Sequence, residues 1–285
     1  MAAWLEVAIK QWRMPQTRTL GRRALARRLV LPLIALYLAS ALLLVLCEEV
    51  FLRWHDRDGV VRGSGTDVWL RTEDDVRIYA RYYERDPKLP VLLYLHGGAG
   101  NLASRSDRLE LFSNLGANLL AVEYRGYGPS EGKSTEAGLV QDASAAYAWL
   151  RQRTEANKIF PFGESLGGGP ATWLALTRQV GGLILLSTST STPELASHYA
   201  PWLPTRLLVR TRFENLRRLK HVMVPKLFIH SRTDEIVPFT MAESMFRASQ
   251  EPKQHLWLDQ VGHNETFYKA RPEATKAIRK FLSTL

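Results

Sequence analysis

Residues 158–176 read KIFPFGESLGGGPATWLAL. A short apolar run gives way to a glycine-flanked turn, and the residues after the turn continue as a helix. At the turn stand Gly163, Glu164, Ser165, Leu166 and Gly167, a G-x-S-x-G pattern. Its spelling has a physical reason. A serine at the tip of a tight strand-to-helix turn sits in strained backbone, so the residues two places to either side must lack side chains. The strain holds the Ser165 hydroxyl clear of the sheet. The helix that follows offers unpaired N–H groups and the positive end of its dipole to a developing negative charge. These five letters also occur by chance in many chains. The strand before them and the helix after them are the context the chemistry needs.

Working outward, residues 91–95 (VLLYL) and 118–124 (NLLAVEY) are apolar runs of the kind found in strands buried on both faces. Residues 67–84 alternate apolar and polar around Glu73, Asp74 and Asp75, as an antiparallel hairpin does. A helical period covers 134–153, and a helix is expected after residue 101 to about 115. Beyond the turn, strands are expected at 182–187, 226–230 (KLFIH) and 254–259 (QHLWLD), with helices over 240–249 and 265–285. Residues 188–222 break the rhythm with three prolines, several aromatics and no clean period. They read as a cap-like insertion lying over the sheet edge. Strands alternating with helices through residues 67–285 imply an α/β fold: a mainly parallel, doubly wound sheet with helices on both faces.

The N-terminal part has a different composition. Residues 29–46 (LVLPLIALYLASALLLVL) carry no charge over 18 positions, close to the ~20 that cross a bilayer core. The expected division is a basic segment 1–28, a transmembrane anchor 29–47, a linker 48–66 and one large domain 67–285. Pro32 is expected in the first helical turn, where proline is tolerated. Basic residues precede the apolar stretch, and Glu48 and Glu49 follow it. By the positive-inside tendency the N-terminus is cytoplasmic and the large domain faces the other side, periplasmic or lumenal. A cleaved signal peptide is the rival reading, against which stand the long apolar stretch and the lack of an A-x-A site.

The 285 residues are 46% hydrophobic and 23% charged, as in an ordinary globular chain. The net charge of +10 points to nucleic acid only if it is spread over the domain. It is not: residues 1–47 hold seven basic side chains against Glu6, leaving +4 for the remainder. No nucleic-acid partner is expected. The single cysteine, Cys47, excludes an intrachain disulfide.

Reactive groups in such sheets lie at the carboxyl ends of strands. His96, Ser165, Asp234 and His263 sit there. A serine hydroxyl is a poor nucleophile until a base stands within hydrogen-bond reach, and the base needs a carboxylate to hold its tautomer and stabilise its cation. His263, in a glycine-containing turn after the last strand, is the expected base. Asp234, after KLFIH, is the expected acid, and the order Ser, Asp, His suits this architecture. Each has a bland rival. A lone histidine is more often a surface or core residue, and Asp234 alone would be a helix cap or turn residue. Asp259 and, more weakly, Glu235 compete as the acid. The N–H groups of Leu166 and Gly98 are the expected oxyanion donors, and His96 is assigned to bracing its loop. The stretch Gly97-Gly98-Ala99-Gly100 lacks the lysine and spacing of phosphate-binding loops. No Cys/His cluster of zinc type occurs. No metal or nucleotide cofactor is expected.

HGGAGN at 96–101, EYRGYGPSEG at 123–132, GESLGGG at 163–169, DEIVP at 234–238 and GHN at 262–264 resemble the serine α/β-hydrolases. Among them the chain is similar to the single-pass membrane-anchored α/β-hydrolase-domain proteins. The motifs run in order from about residue 66 to 285, and the anchor matches too. The resemblance implies an α/β-hydrolase fold with nucleophile Ser165, acid Asp234, base His263 and oxyanion donors near Gly98 and Leu166. Members include lipases, esterases, thioesterases and peptidases of the prolyl-oligopeptidase type. The implied reaction is cleavage of an ester, thioester or amide through an acyl-enzyme. A small-molecule or acylated substrate is expected, lipid-like given the anchor and Tyr199, Trp202, Leu203, Leu207 and Leu208. A non-catalytic scaffold and an acyltransferase are the alternatives. Three departures stand out: Ser231 in place of glycine, Asn264 in place of aspartate, and Pro170 where it could bend the elbow helix. Serine rather than aspartate at 165 argues against the dehalogenase and epoxide-hydrolase branches.

Overall fold

The computed structural model describes residues 22–53 and 57–284. Most of the basic segment expected at 1–28, and positions 54–56 of the linker, lie outside the described residues. The chain divides into two units, residues 1–43 and 44–285.

Helix α1 spans Arg22–Arg53, and within it Arg27–Leu46 is a 20-residue apolar span with none of its surface buried. By length and composition this suffices for a single-pass membrane anchor. The helix starts earlier than expected, so Pro32 lies in its interior and not in its first turn. Arg22, Arg23, Ala24, Leu25 and Ala26 are good helix formers and extend it backwards. It also runs past residue 47 to Arg53, because no glycine or proline interrupts residues 33–58.

In the large unit the elements are β1 (Thr66–Arg71), β2 (Arg77–Tyr83), β3 (Val91–Leu95), α2 (Ser106–Phe112), β4 (Asn118–Val122), α3 (Glu136–Arg151), β5 (Ile159–Glu164), α4 (Gly168–Thr177) and β6 (Leu183–Leu186). The insertion supplies α5 (Thr192–Tyr199), α6 (Thr205–Leu208) and α7 (Asn215–Leu219). Then follow β7 (Lys226–Ser231), α8 (Phe239–Ala248), β8 (Lys253–Leu258), α9 (Thr266–Lys269) and α10 (Arg271–Ser283). The eight strands form one sheet in the order β1-β2-β4-β3-β5-β6-β7-β8. The β1–β2 and β2–β4 pairs are antiparallel and the other five are parallel.

The apolar runs explain the layering. All five residues of β3 are buried, and successive side chains point to opposite faces. Val91, Leu93 and Leu95 join Leu139, Ala143 and Leu174 of α3 and α4 in one core. Leu92 and Tyr94 join Phe112 of α2 and Ile278 and Phe281 of α10 in the other. A fully buried leucine contributes about 1.5–3 kcal/mol, so neither face of this strand tolerates a register slip.

Two helix expectations are corrected. The terminal helix breaks at Ala270, because Pro272 sits in the first turn of α10 and cannot continue α9. Pro170 causes no break: it is the third residue of α4, where its missing N–H has no helical partner to lose. The insertion also differs from expectation. It joins two interior strands, β6 and β7, so it crosses the carboxyl ends of the sheet and not the edge. There it packs on α4, where Arg218 donates to the Gly169 carbonyl at 3.2 Å and the Phe213 ring fills the space a Gly169 side chain would take.

Candidate active site

The strand order brings the loops after β3, β5, β7 and β8 to one end of the sheet. Ser165 directly follows β5 at φ 52°, the left-handed region that costs a non-glycine residue energy. Its neighbours make that turn possible. A Cβ on Gly163 would lie 2.5 Å from the Gly167 carbonyl oxygen, and one on Gly167 would lie 1.9 Å from that of Leu95. Both positions therefore require glycine.

The structure brings together the three side chains expected from the sequence. His263 Nε2 lies 3.1 Å from Ser165 Oγ, and His263 Nδ1 lies 2.8 and 3.0 Å from the two Asp234 oxygens. With Nδ1–H donating to the carboxylate, Nε2 is left to accept from the Ser165 hydroxyl. Asp234 is itself fixed by N–H donors, Ile236 at 2.9 Å and Val237 at 2.7 Å. Burial alone would raise its carboxyl pKa. The hydrogen bond and charge of His263, the Val237 N–H and nearby His230 outweigh that and hold it below the ordinary value. Asp234 is completely buried, His263 nearly so, and Ser165 stays half-open. Such an arrangement can take a proton from a hydroxyl and return it to a leaving group. The rival acids fall elsewhere. Asp259 is exposed beside Arg232 at 3.4 Å, and Glu235 accepts from the His263 backbone N–H at 3.0 Å.

The loop after β3 is braced from several sides. His96 Nδ1 lies 2.7 Å from the Gly97 carbonyl and His96 Nε2 3.0 Å from Glu123. Arg105 donates to the carbonyls of Gly97, Ala99 and Asn101, and the Tyr127 hydroxyl donates to that of Gly98 at 3.2 Å. The loop's carbonyls are thus occupied, while the Gly98 N–H has no hydrogen-bond partner among the described residues. Leu166 stands in the first helical turn after Ser165, where N–H groups lack helical partners. Gly97 closes the gap between the two: a Cβ there would touch that of Ser165 at 3.4 Å.

Other residues escaped the sequence reading. Glu164, beside Ser165, is buried against the Tyr94 hydroxyl and Arg108, whose Nη1 is 2.6 Å away. Burial would raise its pKa, yet the charges of Arg108 and Arg105 with both hydrogen bonds keep it below the ordinary value. Arg108 also donates to the Asn264 carbonyl at 3.4 Å, so one guanidinium spans the serine turn and the histidine loop. His230 is buried and held below its usual pKa by that burial; its Nε2 bonds the Val237 carbonyl at 2.9 Å, steadying the acid's loop. The insertion reaches the same loop through the Tyr199 hydroxyl, which donates to the carbonyls of Glu235 and Ile236 at 3.0 and 2.7 Å. One signal was available: a glutamate ending an otherwise buried strand demands a cationic partner. Among the described residues no group of three or more His, Cys, Asp or Glu could hold a metal ion.

Comparison with known proteins agrees with this architecture. The family model described as alpha/beta hydrolase fold matches residues 90–212. The alpha/beta hydrolase domain-containing protein 17B of Homo sapiens is 30% identical over 199 residues, 68% of this chain and 68% of that protein. The lysophosphatidylserine lipase ABHD12 of Danio rerio is 32% identical over 196 residues, 61% of this chain and 51% of that protein. The structure of the Pyrococcus furiosus esterase Pf2001 superposes with a TM-score of 0.64 at 20% identity, covering 80% of this chain and 96% of that one.

Proposed function

The chain belongs to the α/β-hydrolase family, and from that premise we propose that it is a membrane-anchored serine hydrolase cleaving an ester, thioester or amide. Ser165 Oγ attacks the acyl carbon while its proton passes to His263 Nε2. Asp234 holds the ring and stabilises the imidazolium that results. The N–H groups of Gly98 and Leu166 receive the negative charge on the carbonyl oxygen. His263 then gives the proton to the leaving group; a water molecule, deprotonated by the same ring, attacks the acyl carbon, and the ring returns that proton to Ser165 Oγ as the acyl–oxygen bond breaks. The observation that carries this reading is the continuous hydrogen-bonded line from Ser165 through His263 to Asp234. A relative named as a lipase supports a hydrolase.

An apolar acyl group is the substrate class this reading favours. The apolar span Arg27–Leu46 supports residence at a membrane, with the N-terminus cytoplasmic and the domain opposite. Of the five apolar insertion residues singled out, Tyr199, Trp202 and Leu207 are exposed, Leu208 is half-buried and Leu203 is buried. The test is turnover of aryl esters of rising acyl length by the full chain and by Ser165→Ala. The wild type should favour the longer chains and the variant should be inactive. Equal turnover by both would refute the reading.

A further inference from the structure

The insertion has a charge that the chemistry at Ser165 does not use. Residues 188–222 hold six basic and two acidic side chains, which is all of the net +4 the chain carries beyond residue 47. Four of these cations line one cavity of about 190 Å³ with Thr190, Glu194 and Glu214. That volume equals about six waters and falls below the range of a whole drug-sized ligand. It is the size of an ionic group.

The charges there do not cancel. Glu194 is paired with Arg206 at 2.9 Å and Glu214 with Arg217 at 3.4 Å. Arg212 donates to the Arg206 carbonyl at 2.9 Å, and neither it nor Lys220 has a carboxylate partner at its side chain among the described residues. The same insertion also exposes apolar side chains: Leu207, next in sequence to Arg206, is 84% exposed and Trp202 is 61% exposed. Basic side chains together with an exposed tryptophan and leucine are the composition of surfaces that meet lipid headgroups and the acyl boundary.

We propose that this cavity binds the phosphoryl group of an anionic lipid, with Arg212 and Lys220 contacting its oxygens and Trp202 and Leu207 contacting its chains. Arginine and lysine are the side chains suited to a phosphoryl oxyanion. The site stands apart from the reaction at Ser165 and does not depend on it.

The test uses the full chain in a neutral detergent, titrated with dihexanoyl phosphatidic acid and separately with inorganic phosphate. Binding is read as the shift in thermal midpoint and as protection of Lys220 from acetylation, measured by peptide mass. The lipid should raise the midpoint and shield Lys220. Inorganic phosphate, with no chains, should bind at least tenfold more weakly. Replacing Arg212→Gln and Lys220→Gln together should weaken lipid binding about twenty-five-fold, at about fivefold per cation. Turnover of a short aryl ester by that double variant reports that it has folded. Should it fail to fold, Lys220→Gln alone is expected to weaken binding about fivefold. Absence of lipid binding, or binding untouched by these substitutions, overturns the proposal. Inorganic phosphate binding as tightly as the lipid overturns its assignment to a lipid.

Discussion

The turn at Ser165 and the insertion after β6 touch each other, yet they are built on opposite terms. The backbone beneath Ser165 is tightly packed: two glycines stand where a single methyl would meet a carbonyl oxygen at 2.5 Å or less, and the serine itself holds a positive φ. The adjacent glutamate is buried and fully partnered. The insertion keeps an exposed tryptophan and leucine and unbalanced cations. The difference teaches where each task belongs. Positioning a proton relay to within tenths of an ångström requires packed, over-determined backbone, whereas recognising an amphiphile needs accessible surface.

Substitutions can break this contrast, and the largest effects belong to the relay. His263→Ala should lower kcat by roughly 10⁴–10⁶-fold, and Asp234→Asn by roughly 10⁴-fold, with the far-ultraviolet circular dichroism unchanged. A tenfold loss or less would mean that the relay does not carry the reaction. Next comes the brace beneath it. Arg108→Ala leaves the Glu164 carboxylate buried without its cation and should cost about 3–5 kcal/mol in denaturant unfolding. Because Arg108 also reaches the Asn264 carbonyl, the same variant should slow acylation.

A smaller effect depends on pH. Glu164 has a folded pKa below the ordinary glutamate value of about 4.3. Its contribution is therefore fully present above that value and is lost as pH falls through the folded pKa. Glu164→Gln should be about 2 kcal/mol less stable at pH 7, and the gap in thermal midpoint should begin to narrow as pH falls below about 4.3 and close once pH has passed the folded pKa. Asp234 titrates with the same sign in both proteins and cancels from the comparison. The smallest effect sharpens the other side of the contrast. Leu207→Ala should shift stability by less than about 0.5 kcal/mol, leave turnover of short esters unaffected and weaken lipid binding to the insertion.

How much of this was legible in the sequence follows from how local each feature is. The strands were readable because VLLYL, KLFIH and QHLWLD are continuous runs bounded by turn residues. Ser165 was readable because its strain demands glycines at fixed spacing. Asp234 and His263 could be placed only by their strand-end positions and chain order. The Glu164–Arg108 pair spans 56 residues and has no local signature beyond a charge at the end of a buried strand. The position of the insertion depended on strand order, which no periodicity encodes: β6 and β7 proved interior, so their connection had to cross the carboxyl ends. The apolar stretch was visible as composition, but the ends of its helix were not, since no breaker marks them.

The central claim is that one hydroxyl becomes the acylated atom. It is tested most directly by treating the full chain with a fluorophosphonate probe and mapping the adduct by peptide mass. The account requires a single adduct on Ser165, absent in Ser165→Ala and formed far more slowly in His263→Ala. An unlabelled wild type, or equal labelling of wild type and Ser165→Ala, would contradict it.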